Sequence, residues 1–194
     1  MDKEQEKRAL ALQALNSAPP PGLLSEPIDY IFADHFRQRT LCRILEEVAD
    51  EPAWDREKVD AALRFLMQDF ALHIADEEKD LFPLLRRRAD PEANIREFVG
   101  QLNEDHKRAG VRFDQIVERF SSVLERAGTK PAGQRFRELL RQFAEAEKRH
   151  LIFENAIILP LARAELTGDD LRTLGKRMAD RRGLDYPELE DHAD

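Results

Sequence analysis

Little in this sequence points to β-structure or to a covalently cross-linked fold. Its 194 residues contain one cysteine, Cys42, which excludes an intramolecular disulfide. Glycine is scarce, with 8 residues, and the alternating β-branched runs and Asn-Gly or Asp-Gly turns of hairpins are absent. Ala, Leu, Glu and Arg, which favour helices, are abundant instead. The composition therefore predicts an all-α protein.

The chain also lacks a positive net charge and a long hydrophobic run. With a net charge of −8, the electrostatic field of the whole protein does not favour binding to nucleic acid or to an anionic membrane. No apolar run approaches the ~18 residues of a membrane span, and the charged N-terminus has no signal-peptide core. We therefore expect a cytoplasmic protein with no nucleic-acid or membrane partner. The short basic runs Arg86–Arg88 and Arg181-Arg182 are interpreted as solvated faces.

Four long segments carry apolar residues at spacings of three and four, which is typical of helices in a bundle core. Because the breaks between them are short, they predict an antiparallel up-down four-helix bundle. A short amphipathic helix with Leu10, Leu12 and Leu15 precedes the bundle, and a C-terminal helix after Asp169 and an acidic tail follow it. The four segments run over about 27–49, 55–88, 91–127 and 132–165. The predicted divisions are an N-terminal segment with a Pro-rich linker (1–26), the bundle (27–165), and the C-terminal helix and tail (166–194).

A short repeat relates the two halves of the chain. His73 and Glu77 belong to one copy of the pattern His-x3-Glu-x5-Pro-Leu, and His150 and Glu154 belong to the other. An Asp-His pair also precedes each copy, at His35 and at His106. Each predicted helical hairpin therefore carries one lone His followed by one His-x3-Glu, and two such hairpins would form a pseudo-twofold bundle.

These residues have the chemistry of a metal site with two ions. His and Glu at i and i+4 lie on one face of a helix, and imidazole and carboxylate suit iron, manganese and zinc. Burying Glu77 and Glu154 on apolar stripes is costly unless they are paired or bind metal, and no Lys or Arg shares those stripes. Shared symmetrically, the set gives two imidazoles per metal with both carboxylates as bridges. The predicted metal ligands are His35, His73, Glu77, His106, His150 and Glu154.

Other residues have weaker predicted roles. We expect the hydroxyl of Tyr30 to lie near the metal. Cys42 is interpreted as a small core residue. Pro83 and Pro160 predict matched helix kinks that shape the site. Glu147 with His150 has the Glu-x2-His spacing of ferritin-like sites, but that spacing occurs once where such a site needs it twice. The candidate hydrogen-bond partners for the imidazole N–H groups are Asp34, Asp76, Asp105 and Glu147.

The pattern from His35 to Glu154 resembles the hemerythrin-like, or HHE cation-binding, domain over roughly residues 27–165. The resemblance implies a four-helix bundle around an oxo- or hydroxo-bridged centre of two Fe ions, with Mn or Zn as substitutes. It also implies O2, NO or peroxide as a small-molecule ligand. Oxygen-carrying hemerythrin has a further His on its third helix, where this chain has Gly110. The four-His, two-Glu set is closer to iron-sulfur-cluster repair proteins and iron-sensing domains, although the Cys-containing N-terminal domain of the repair proteins is missing.

Three functions remain open at this point. The first is a di-iron protein that binds, senses or scavenges O2, NO or peroxide, or handles iron, under oxidative or nitrosative stress. The second is a di-iron enzyme with peroxidase, oxidase or NO-reducing chemistry at the same centre. The third is a metal-free interaction bundle.

Overall fold

The computed structural model describes residues 3–90, 94–126 and 132–187, and these ranges are helical with no strand. The predicted all-α fold is confirmed. None of the helices in these ranges combines the length and the apolar character needed to cross a membrane. In chain order the helices are α1 (Lys3–Asn16), α2 (Pro27–Asp50), α3 (Arg56–Phe65), α4 (Ala71–Asp76), α5 (Phe82–Arg88), α6 (Ile95–Glu125), α7 (Gln134–Phe153), α8 (Leu159–Glu165) and α9 (Gly168–Arg182).

Two of the four bundle helices are built from several of these pieces. The second bundle helix (56–88) is α3, α4 and α5, joined by wide π-helical turns at Leu66–Phe70 and Glu77–Leu81. The fourth (134–165) is α7 and α8, joined by a π-helical turn at Glu154–Ile158. A 3-10 turn (Pro21–Ser25) leads into α2.

Local sequence signals explain the helix ends that the structure describes. The side chain of Asp55 accepts hydrogen bonds from the backbone N–H of Glu57 and Lys58, which confirms it as the N-cap of α3. Thr167 and Asp170 form a capping box at the start of α9, and Gly183, with a φ of 65°, ends that helix in the left-handed conformation. The predicted breaks at 91 and 128–131, and the acidic tail from 188, lie outside the described residues.

The core of the bundle consists of two apolar clusters separated by a polar layer. Along α2, Ile31 belongs to one cluster, His35 to the polar layer and Leu41 to the other cluster. The fourth bundle helix has the reverse order, since Phe143 shares the cluster of Leu41 and Ile158 shares that of Ile31. This reversal is what an antiparallel neighbour requires. The polar layer is thereby closed off from solvent along the bundle axis by packed side chains on both sides.

The N-terminal helix packs on the bundle rather than apart from it. Leu12 and Leu15 of α1 are buried in the same cluster as Leu41, whereas Leu10, predicted to share their face, is 59% exposed. The guanidinium of Arg37 on α2 donates to the carbonyl oxygen of Leu15, and Arg8 pairs with Asp55 at 2.7 Å. These polar contacts fix α1 across α2 and the start of α3.

The C-terminal helix α9 packs against the 3-10 turn and corrects one prediction. A Cβ atom on Gly175 would lie 2.2 Å from the carbonyl oxygen of Leu24, so only glycine allows this close approach. The predicted solvated face at Arg181-Arg182 is wrong, since these side chains are 19% and 9% exposed. Both bind the buried carboxylate of Asp76, because a buried carboxylate requires compensating charge. Arg87 and Arg88 remain partly exposed, at 62% and 42%, while pairing with Asp170.

Candidate metal centre

The bridging candidates occupy equivalent places in the two copies of the repeat. Glu77 and Glu154 are each the first residue of a π-helical turn, and each donates its backbone N–H to the carbonyl of the His four residues earlier. Six residues after each Glu stands a proline, Pro83 or Pro160, which cannot donate a helical hydrogen bond and clashes with the preceding turn. The helix widens just before each proline, so the predicted kinks take the form of π-helical turns.

The structure brings all six predicted ligands together in the polar layer. They form two groups of four, and within each group one potential ligand atom per residue lies within 4.8 Å of the others. His35 and His73 belong to one group and His106 and His150 to the other, while both groups share Glu77 and Glu154. All six side chains are buried, with His106, at 9%, the most exposed. Two sites with a common pair of carboxylates is the arrangement expected of two bridged metal ions.

The two oxygens of Glu77 point toward different halves of the centre. Its Oε1 lies 3.2 Å from Nε2 of His73 and 3.9 Å from Nε2 of His35. Its Oε2 lies 3.5 Å from Nε2 of His106 in the other half. The two oxygens therefore face opposite halves of the centre, as expected of a bridging carboxylate.

Glu154 repeats this arrangement from the opposite hairpin. Its Oε1 lies 3.1 Å from Nε2 of His150, and its Oε2 lies 3.5 Å from Nε2 of His35. The Nε2 atoms of His106 and His150 are 3.0 Å apart, so both converge on one point. The internal repeat is thus reproduced in the geometry as a pseudo-twofold centre.

The donor atoms fit a pair of cations because they satisfy one another poorly. All four carboxylate oxygens of Glu77 and Glu154, together with Nε2 of His35, are buried without a hydrogen-bond partner. No Lys or Arg in the described ranges pairs with either Glu at salt-bridge distance. Buried carboxylates without a partner are costly, and divalent cations held by these oxygens and imidazoles would offset their charge.

The outer nitrogen of each imidazole has a partner, and these partners also follow the pseudo-twofold. Nδ1 of His35 lies 2.8 Å from Oδ1 of Asn155, the residue after Glu154. In the other half, Nδ1 of His106 lies 2.9 Å from Oε1 of Glu78, the residue after Glu77. An Nδ1–H held in this way leaves Nε2 unprotonated and aimed at the centre.

The remaining two imidazoles each face the Asp of an Asp-His pair, at different distances. Nδ1 of His73 lies 3.4 Å from Oδ2 of Asp34, and Nδ1 of His150 lies 4.0 Å from Oδ2 of Asp105. The contact in the first half is tighter and buried, because Asp34 is also held by Arg37 at 2.8 Å.

Comparison with known families agrees with this geometry. The family model of the hemerythrin HHE cation-binding domain matches residues 26–162. The chain belongs to this family. No curated protein and no solved structure matches the chain. The resemblance drawn from the six-residue pattern is therefore confirmed, and metal binding is the family's property.

The supporting residues of this HHE domain were predicted only in part. Asp34 lies 3.4 Å from Nδ1 of His73 as predicted, whereas Asp105, at 4.0 Å from Nδ1 of His150, lies beyond hydrogen-bond distance. Asp76 instead binds Arg181 and Arg182, and the hydroxyl of Tyr30 accepts a hydrogen bond from Arg182 at 3.0 Å, so the predicted place of Tyr30 near the metal is wrong.

Two partners, Asn155 and Glu78, were missed. Each directly follows a candidate bridging Glu, and the sequence signal that would have found them is the repeat itself, extended by one position. Cys42 is fully buried in the apolar cluster that contains Leu41, as predicted, and burial raises the pKa of its thiol.

The buried carboxylates of the HHE domain raise the pKa of the imidazoles that face them. Burial acts to lower the pKa of His150, but the facing carboxylate of Glu154 overrides it and raises the pKa to about 10. Burial also acts to lower the pKa of His73, but Glu77 and Asp34 outweigh burial and raise this pKa well above its usual value. The pKa of Glu77 is correspondingly held well below its usual value by His73 and His35, against the effect of burial.

The two halves of the HHE centre differ in their access to solvent. A cavity of about 420 Å³ between α6 and α7 is lined by His106 and His150. Glu147, which is 6% exposed, lies in its wall, and burial raises the pKa of its carboxyl group. His35 and His73, at 1% and 3% exposed, are not part of this cavity. Small molecules therefore have room to approach the centre from the His106 side.

Proposed function

We propose that this HHE domain holds a non-haem di-iron centre that binds, senses or scavenges O2, NO or peroxide, or handles iron, under oxidative or nitrosative stress. His35 and His73 hold one iron, His106 and His150 hold the other, and Glu77 and Glu154 bridge them. The observation that carries the proposal is the set of four unpartnered carboxylate oxygens, each facing the Nε2 atom of an imidazole.

The donor set supports iron and leaves room for a ligand. Imidazole nitrogens and carboxylate oxygens are ligands that iron accepts, with manganese and zinc as substitutes. Two imidazoles and both carboxylates would be available to each ion. Bound ferrous ions would supply electrons for reaction with O2, NO or peroxide. The protein residues fix the imidazole orientations, exclude bulk water through the two apolar clusters, and admit the ligand through the cavity beside His106 and His150.

Metal content after anaerobic loading with ferrous iron tests the proposal. We expect about two irons per chain and a clear loss of iron in the His73→Ala and Glu154→Ala variants, because each removes a ligand. Glu104→Ala is the matched control, since Glu104 on α6 pairs only with Lys107 at the surface. Fewer than about two irons per chain would overturn the di-iron assignment. A chelator that leaves the midpoint of urea unfolding unchanged would support the metal-free interaction bundle instead.

A second candidate is an enzyme with oxidase, peroxidase or NO-reducing activity at the same centre. The observation that favours it is the cavity, which at about 420 Å³ falls within the range of ligand pockets, roughly 300–1,000 Å³, and exceeds what a diatomic molecule needs. Stopped-flow mixing of the ferrous protein with excess O2 or peroxide distinguishes the candidates. Multiple turnover supports the enzyme, and a single stable spectral change supports binding or sensing. The cytoplasmic location stays a prediction.

A further inference from the structure

The rim and the floor of the cavity between α6 and α7 have different chemistry. Its floor consists of buried residues, among them Leu102, Phe143 and His150. Its rim carries three arginines, Arg108 and Arg112 from α6 and Arg149 from α7. A cavity that combines apolar side chains with a few charged groups is typical of a site for a small organic molecule.

The arginine rim is unusual for this chain, whose net charge is −8. Arg108 and Arg112 are separated by one helical turn, so their like charges repel unless an anion lies between them. Arg108 lies 3.8 Å from Asp105, and Arg149 pairs with Glu145 at 2.5 Å on the exposed surface. Arg112 makes no hydrogen bond or ion pair with any residue in the described ranges, and its guanidinium is thus available to an anion.

The floor of the cavity sets the orientation of such an anion. Glu147 lies there beside His150, and its carboxylate would repel a negative group placed at the metal end. The arginines at the solvent-exposed rim attract that group, and guanidinium is suited to bind a carboxylate through two parallel hydrogen bonds. The body of the ligand then lies against Ala109 and Phe143.

From this arrangement we propose that the cavity binds a small organic carboxylate, with its carboxylate at Arg112 and its apolar body directed toward His106 and His150. The inference deepens the proposed function, on which it rests only for what lies at the inner end of the cavity. It supplies a ligand class larger than O2, NO or peroxide for the same opening of the bundle.

Equilibrium binding of benzoate to the full chain, measured by calorimetry, tests the proposal, with benzamide as the uncharged molecule of the same shape. We expect benzoate to bind at least about tenfold more tightly than benzamide, and Arg112→Gln to weaken benzoate about tenfold while leaving benzamide unchanged. Arg96→Gln is the matched control, because Arg96 is an exposed arginine on the same helix and does not line the cavity. Ala109→Phe, which fills the cavity from α6, should weaken both molecules.

Each measurement is made on the iron-loaded chain and again after chelation. Arginine-dependent binding in both states supports the carboxylate site. Benzoate binding that disappears on chelation and is insensitive to Arg112→Gln shows coordination to iron alone and overturns the inference. Equal affinities for benzoate and benzamide overturn it as well. If the chain fails to load iron, the proposed function fails, whereas arginine-dependent binding to the chelated chain still supports the carboxylate site.

Discussion

Nδ1 of His35 and Oδ1 of Asn155 lie 2.8 Å apart and join the first bundle helix to the fourth. The amide oxygen can only accept, so the imidazole donates from Nδ1 and presents the lone pair of Nε2 to the centre. Asn155 directly follows Glu154, and one π-helical turn therefore carries both the proposed bridging carboxylate and the hydrogen-bond partner of an imidazole from the other hairpin.

Replacing Asn155 by alanine should weaken metal binding without unfolding the bundle. The variant removes the acceptor that fixes the tautomer and ring orientation of His35, and such losses cost about 10–100-fold in metal affinity. Competition with a chelator of known affinity measures the change. Glu78→Gln is the matched control in the other half, because its amide oxygen still accepts from His106 and should leave the affinity close to that of the unmodified chain. Equal losses in both variants would contradict this assignment.

Metal uptake by this HHE domain should release protons. Without metal, Glu154 raises the pKa of His150 to about 10, and Glu77 with Asp34 raises that of His73 well above its usual value, so both imidazoles hold protons. Metal ions replace these protons, so we expect about two protons released per chain near pH 7.5. Calorimetric titration of the metal in two buffers with different ionisation heats counts them. Uptake without proton release would contradict the prediction.

The same protons make the stability of the metal-free chain depend on pH. A pKa raised above the usual 6.5 contributes stability that is complete below pH 6.5 and is lost as pH rises through the folded value of about 10. The urea midpoint of the chelated protein should therefore fall between pH 6.5 and 10. In the metal-loaded protein this fall should be smaller, since the imidazoles carry no proton to lose. His150→Ala should reduce the dependence in the chelated protein.

Removing Arg182 should destabilise the fold through the charge that it leaves behind. Its guanidinium binds Asp76 at 2.6 Å and Tyr30 at 3.0 Å, and Asp76 is fully buried. Breaking a buried ion pair by removing one partner costs about 3–5 kcal/mol. We expect Arg182→Met to fall near the lower end, because Arg181 still contacts Asp76. Urea unfolding of the chelated protein measures the loss.

Two further variants separate buried charge from lost packing. Asp76→Leu combined with Arg182→Met should recover most of the stability, because no unpaired carboxylate remains. Arg177→Gln removes a bridge to Asp80 from an arginine that is 59% exposed, and should cost at most about 1 kcal/mol. A double variant as unstable as Arg182→Met would show that packing of α9, rather than charge, determines the effect.

The sequence determined the elements of this protein that depend on local periodicity. Helical spacing of apolar residues gave the bundle helices, and the copies of His-x3-Glu placed an imidazole and a carboxylate on one helix face. The scarcity of compensating Lys or Arg on those stripes indicated a metal, and the structure brings Glu77 and Glu154 together with all four His.

Only the tertiary structure decided the contacts between helices. The partnership of His35 with Asn155, the capture of Arg181-Arg182 by Asp76, and the opening of the centre on the His106 side depend on how two hairpins and α9 pack. A side chain of given helical phase can meet any of several neighbours, and the interhelical distance selects one of them. The helix face on which a side chain lies follows from the order of residues within one segment. The distance between helices depends instead on the volumes of side chains that are far apart in the chain but fill the same core, such as Phe143 and Leu41.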